Sequence, residues 1–110
     1  MSMQEKIEGI VVKFNKRSDE DEKLREDMAH LKKVFMIDLG DEVYSMKLEN
    51  SKVDDFKAEI VEDADIVLTS TSETIEASMS GELRPMRAYI TKKIKIKGSI
   101  QDLMFLKKFL

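Results

Sequence analysis

Apolar residues at Ile7, Ile10, Val11 and Phe14 recur at three- and four-residue spacing, so residues 3–16 are expected to form an amphipathic helix with one apolar stripe. The run Ser18-Asp19-Glu20-Asp21-Glu22 offers a cap and an acidic first turn for a second, short helix through Leu24, Met28 and Leu31. From Val34 the period changes to two. Phe35, Ile37 and Leu39 fall on one face opposite Met36 and Asp38, Gly40-Asp41 makes a turn, and Tyr44, Met46 and Leu48 then alternate with Ser45, Lys47 and Glu49, which predicts a β-hairpin. After a connection at Asn50-Ser51-Lys52, a third strand is expected with Phe56, Ala58 and Ile60 alternating against Lys57, Glu59 and Val61, and a fourth at Asp65 to Thr69. Ser70 and Glu73 have capping-box spacing, placing the start of a helix that carries Ile75, Ala77 and Met79 and stops at Gly81.

The segment from Gly81 to Gly98 holds the densest signals. Pro85, the only proline, suits the first turn of another helix, where its missing N–H is no loss. Lys93-Ile94-Lys95-Ile96-Lys97 then alternates as a fifth strand, with the isoleucines inward and the lysines outward, and ends at Gly98. Ser99 with Asp102 is a cap for the last helix. At about 100° per residue Leu103, Leu106 and Leu110 form one stripe of that helix, while Phe105 and Phe109 point away from it. The second apolar face needs an occupant: a bound acyl chain, a partner subunit, a membrane surface or another part of the domain. Meander strands followed by helices around a final strand predict an α+β fold, a mostly antiparallel sheet with helices packed on one face, in a single domain over residues 1–110.

Composition narrows the function by exclusion. The chain is 37% charged, against about 25% in an ordinary domain, but its net charge is only -3, so no broad basic surface invites nucleic acid. Without cysteine there is neither a disulfide framework nor thiolate chemistry. No apolar run approaches the ~20 residues that cross a bilayer and no secretory signal is recognisable, so a cytoplasmic protein is expected. His30 is the only histidine, and the acidic run at Asp19 to Glu22 lacks the spaced ligands of a calcium loop, so no metal or cofactor is expected. Ser70-Thr71-Ser72 has no base nearby in sequence and no strained elbow, and no enzymatic constellation is found. Asp65, at a strand start, reads as an acceptor for backbone amides. Eight methionines are many for this length and suit an adaptable apolar interior.

Ala64 to Thr69, then Gly81-x-Leu83-x-Pro85-x-x-Ala88-Tyr89, then Lys93 to Gly98, together resemble the sterol-carrier-protein-2 family of lipid-binding domains over residues 30–110. Phe35 to Leu39 is similar to the family's first strand. Where the family has a glycine before its Lys-Ile-Lys strand, this chain has Lys92. The resemblance implies a five-stranded sheet with helices on one face enclosing an apolar cavity, and a non-catalytic lipid carrier. Its ligand would be a sterol, fatty acid, acyl-coenzyme A or other lipid. Topology and alternation would line the cavity with Phe35, Ile37, Met46 and Leu48 from the sheet, Met79, Met86, Tyr89 and Ile90 from the intervening helices, and Leu103, Met104 and Leu106 from the last helix. The alternative is a filled-core module that pairs with a second copy as a homodimer or serves a separate enzyme. A transient membrane contact is expected through Lys93, Lys95, Lys97, Lys107 and Lys108, with Phe105 or Phe109 dipping into the interface.

Overall fold

The computed structural model describes residues 3–109 and, in the last helix, the side chains of Asp102, Phe105 and residues 107–109. The first helix, α1 (Gln4–Glu20), runs four residues beyond its expected end. Ser18 is therefore not a cap. It continues the Ile7, Ile10, Phe14 stripe by one more step of four, is fully buried, and donates from its hydroxyl to the Ser51 carbonyl at 2.6 Å. The cap of α2 (Glu22–Met28) is Asp21, whose carboxylate accepts from the Leu24 N–H at 3.1 Å.

Strands β1 (Lys33–Asp38) and β2 (Val43–Glu49) form the expected hairpin, with Phe35 opposite Met46 and Ile37 opposite Tyr44. Strand β3 (Lys52–Lys57) starts earlier than the alternation predicted. Asn50 and Ser51 both take positive φ, 54° and 58°, which makes a two-residue hairpin turn whose twist matches its strands. The inward residue of β3 is consequently Val53, while Ala58 and the 72% exposed Ile60 lie past the strand end. A register shift between Ser45 and Lys47, opposite the positive-φ residue Asp55, returns Phe56 to the inner side, where it stacks on Tyr44 at 5.5 Å. Asn15 of α1 exchanges two 2.8 Å hydrogen bonds with the backbone of Val53, which occupies amide groups on this edge strand.

Strand β4 (Ile66–Thr69) lies parallel to β1, and β5 (Lys95–Lys97) antiparallel to β4, giving the order β3-β2-β1-β4-β5. Asp65 accepts from the Val34 N–H at 2.7 Å, and its own N–H donates to the Val34 carbonyl at 2.8 Å. Helix α3 (Ser72–Ser80) is capped by Thr71, whose hydroxyl accepts from the Thr74 N–H, rather than by Ser70. Ser70 instead donates its hydroxyl to the Lys93 carbonyl at 2.9 Å, joining the end of β4 to the approach to β5. Gly81 ends α3 with φ 85°, and Pro85 opens α4 (Pro85–Ile90). Lys92, standing where the family has glycine, adopts φ 64° and makes the tight exit from α4, with the N–H groups of Lys93 and Ile94 both reaching the Ala88 carbonyl. Ile94 is buried just ahead of β5, and Ile96 is half-buried opposite Leu68.

On helix α5 (Ile100–Phe109) the occupant of the phenylalanine face is the rest of the domain. Phe105 and Phe109 are 0% and 3% exposed and meet Phe14 of α1 and Phe35 of β1 in a four-ring cluster with centroids 5.5–5.8 Å apart. Each ring buries about 150–250 Å², and its edge-to-face contacts add to that, which explains why this face packs into the core. These two phenylalanines are therefore unavailable to a membrane in this conformation. The stripe of Leu103, Leu106 and Leu110 lies outside the described side chains. At the start of α5 the cap expected of Ser99 works with its roles exchanged: buried Asp102 accepts from the Ser99 N–H at 2.6 Å.

Candidate functional site

Among the described residues, the four rings fill the space between sheet and helices where the resemblance implies a cavity. Two of those rings, Phe14 and Phe109, also line an open groove. This groove, of about 290 Å³, runs along α1, with Ile10 and Phe14 as its floor, Met79 of α3 and Phe109 of α5 as its far wall, and Lys6, Lys13, Arg17 and Glu5 around it. That volume lies near the lower end of the ~300–1,000 Å³ usual for small-molecule sites. Gly9 makes the room: a side chain at this position would point into open space, with nothing within 4 Å of its first carbon. Glycine in a helix interior costs about 0.5–1 kcal/mol relative to alanine, so its placement against the groove has a stability cost.

The groove is bounded by two polar ties. Lys6 pairs with Glu76 of α3 at 2.5 Å, and Arg17 donates to the Lys108 carbonyl at the end of α5 at 2.9 Å. Helix α1 is also anchored to the sheet. The Tyr44 hydroxyl and the Met3 N–H both donate to Glu42 Oε1, at 2.5 and 3.0 Å, which holds the Glu42 carboxyl below its ordinary range. Burial, and then the same hydrogen bond, pushes the Tyr44 phenol up to about 12. With α1 fixed by the sheet, an opening of the groove must come from α3 or from α5.

Of the expected lining, Met79 faces this groove. Phe35, Ile37, Met46 and Leu48 are buried on the inner face of the sheet, and Phe35 touches Phe109, a ring that itself lines the groove. Met86, Tyr89 and Ile90 are 37%, 37% and 70% exposed. They project from the outside of α4 because Ala88, the one buried residue of that helix, sets its inward direction. The side chains of Leu103, Met104 and Leu106 are not among those described. Reading the sequence missed Gly9, Lys6, Lys13 and Arg17. The signal was present as a basic flank at spacings of seven and four beside the Ile10–Phe14 stripe, with a glycine interrupting it.

The groove offers dispersion, water exclusion and cationic hydrogen-bond donors, a set suited to holding an amphiphile. Among the described residues no three metal-ligating side chains converge, and the buried hydroxyls of Ser45 and Ser78 have no hydrogen-bonding partner to activate them. No helix is long and apolar enough to cross a membrane.

Similarity to known proteins agrees with this architecture. No curated protein sequence matches the chain. Among solved structures, Sterol Carrier Protein 2 Like 2 from Aedes aegypti is 18% identical with a TM-score of 0.64, covering 99% of this chain and 100% of that one. Its palmitated form is 20% identical with a TM-score of 0.63, covering 90% and 88%. A UbiJ-SCP2 ubiquinone synthesis protein is 16% identical with a TM-score of 0.65, covering 97% and 84%. The sec-alkylsulfatase Pisa1 from Pseudomonas sp. is 15% identical with a TM-score of 0.62, but this chain spans only 14% of its length and 78% of its own. At such identities the structures share the fold. The family model described as the SCP-2 sterol transfer family matches residues 13–110, and the chain belongs to that family of lipid-binding domains.

Proposed function

We propose that this chain is a non-catalytic carrier that holds a lipid with a long apolar tail and an anionic head, of the fatty-acid class, in the groove between α1, α3 and α5. The observation that carries this reading is the groove itself, with an apolar floor of Ile10, Phe14, Met79 and Phe109 beneath Lys6, Lys13 and Arg17. The tail lies on the floor and gains about 25 cal/mol for each Å² of apolar surface removed from water. The head takes charge-assisted hydrogen bonds from Lys13 and Arg17. Displacement of Phe109 would lead the tail toward Phe35 and the inner sheet residues Ile37, Met46 and Leu48, with Leu103, Met104 and Leu106 of α5 as the remaining lining. Membership of the family and the fold shared with a palmitated relative support this reading.

Displacement of a fluorescent fatty acid by unlabelled lipids tests it. Gly9→Leu fills the groove and is expected to weaken binding at least about tenfold, or 1.4 kcal/mol. Lys13→Glu/Arg17→Glu is expected to weaken binding of the fatty acid while sparing its uncharged methyl ester. Absence of saturable binding across a broad lipid panel favours a second reading, an accessory or homodimerising module. The filled aromatic core and the likeness to a UbiJ-SCP2 protein support that alternative.

A further inference from the structure

We infer that the corner formed by α4 and its exit turn is a docking surface for an anionic lipid bilayer. Helix α4 is amphipathic in the unusual sense, with its apolar side turned outward. With Ala88 buried, Met86 and Ile90 stand one helical turn apart on the opposite side, at about 160° and 200° from Ala88, and Tyr89 stands beside them. Of the large apolar side chains exposed among the described residues, these three and Met79 of the adjoining α3 belong to one pair of packed helices. Val12 and Ile60 are the others, and they sit on α1 and beyond β3.

Charge identifies the occupant. Arg84, Arg87, Lys92 and Lys93 surround the apolar tip, are all exposed, and make no ion pair among the described residues. Glu82 is the only acid between Gly81 and Lys93, so this corner carries a local excess of positive charge on a chain whose net charge is -3. A convex tip of methionine, isoleucine and tyrosine ringed by long cationic side chains matches a bilayer interface. The aliphatic groups and the ring enter the headgroup boundary, and the cations remain at the level of the phosphates. A protein partner would have to supply a concave, acid-lined socket for the same tip, whereas a fluid anionic surface accommodates it without a preformed shape.

Met79 gives the surface its use. It belongs both to the exposed apolar set and to the wall of the α1–α3–α5 groove, so docking through α4 brings the groove mouth toward the bilayer. The docking surface itself is independent of the ligand reading. It shares Lys93 with the contact expected through Lys93, Lys95, Lys97, Lys107, Lys108 and Phe105 or Phe109, and otherwise differs from it, because both phenylalanines are buried and Lys95, Lys97, Lys107 and Lys108 belong to other elements.

The test is co-sedimentation of the full chain with phosphatidylcholine vesicles, with and without phosphatidylserine, at low and high salt. The expected result is binding that requires phosphatidylserine and is lost at high salt. It should fall by at least about tenfold in Arg84→Glu/Arg87→Glu and several-fold in Ile90→Ser, while Lys95→Glu/Lys97→Glu behaves far more like wild type. All these substitutions are at exposed positions, and circular dichroism together with an unchanged midpoint of thermal unfolding confirms that each variant is folded. Failure of the wild type to bind anionic vesicles overturns the proposal. So does equal binding by the α4 variants and wild type. Binding that ignores phosphatidylserine also overturns it, because the cations around the tip would then have no part in docking.

Discussion

Helices α4 and α5 are both rich in apolar residues, yet α4 turns Met86, Tyr89 and Ile90 out and α5 turns Phe105 and Phe109 in. On α5, Phe105 and Phe109 close a four-ring cluster with Phe14 and Phe35. On α4 the only buried side chain is the methyl of Ala88, and Met86, Tyr89 and Ile90 face solvent. Apolar content alone therefore does not say which helix builds the core. Distant packing partners decide: Phe14 and Phe35 receive the rings of α5, while Pro85 and the left-handed Lys92 frame a helix of six residues that can present only a small inward surface.

Truncating a ring of the cluster separates the two helices most sharply. Phe105→Ala is expected to lose about 3–5 kcal/mol of stability in urea unfolding, as for other large-to-small core changes. Ile90→Ala, an equally apolar truncation on α4, should change stability by less than about 0.5 kcal/mol, as for an ordinary surface site. Similar losses at both positions would erase the distinction.

The hairpin, the existence of the fourth strand, the Gly81 stop and the Pro85 start were legible because each rests on local chemistry: period-two alternation, a positive φ, a missing N–H, whereas the parallel pairing of β4 with β1 was not foreseen. The faces of α5 were not legible. What covers its phenylalanine face comes from rings distant in sequence, Phe14 and Phe35, which spacing along the helix does not reveal. The turn at Asn50 and Ser51 was legible, but the early start of β3 was missed because the irregularity at the positive-φ Asp55 breaks the alternation between Val53 and Phe56. The candidate groove was only half legible: Met79 was among the expected lining, whereas Gly9 and the Lys6, Lys13, Arg17 flank acquire meaning only when α3 and α5 supply the opposite wall.

The anchor of α5 is the next point to test. At Gly98 φ is 157° and an added Cβ would approach Asp102 Oδ2 to 2.5 Å, displacing the carboxylate that caps Ser99. Gly98→Ala should therefore cost about 1–2 kcal/mol, the range for a lost cap, and lower the midpoint of thermal unfolding. A neutral result would show that the aromatic rings alone position α5.

An effect of opposite sign is expected at the exit of α4. Lys92 holds a left-handed conformation that glycine adopts without steric penalty. Lys92→Gly should stabilise the chain by about 1 kcal/mol, less whatever entropy the unfolded chain gains. Destabilisation would mean that the lysine side chain makes a contribution larger than its backbone strain.

The most direct test of the account is an NMR titration of the chain with a long-chain fatty acid, read at the amides and methyl groups on the two sides of the molecule. The account predicts saturable shifts concentrated at Gly9, Ile10, Lys13, Met79 and Phe109 around the groove, with Met86 and Ile90 on the outer face of α4 unmoved in the absence of vesicles. Shifts confined to α4, or no saturable shift at any ligand concentration, would contradict it.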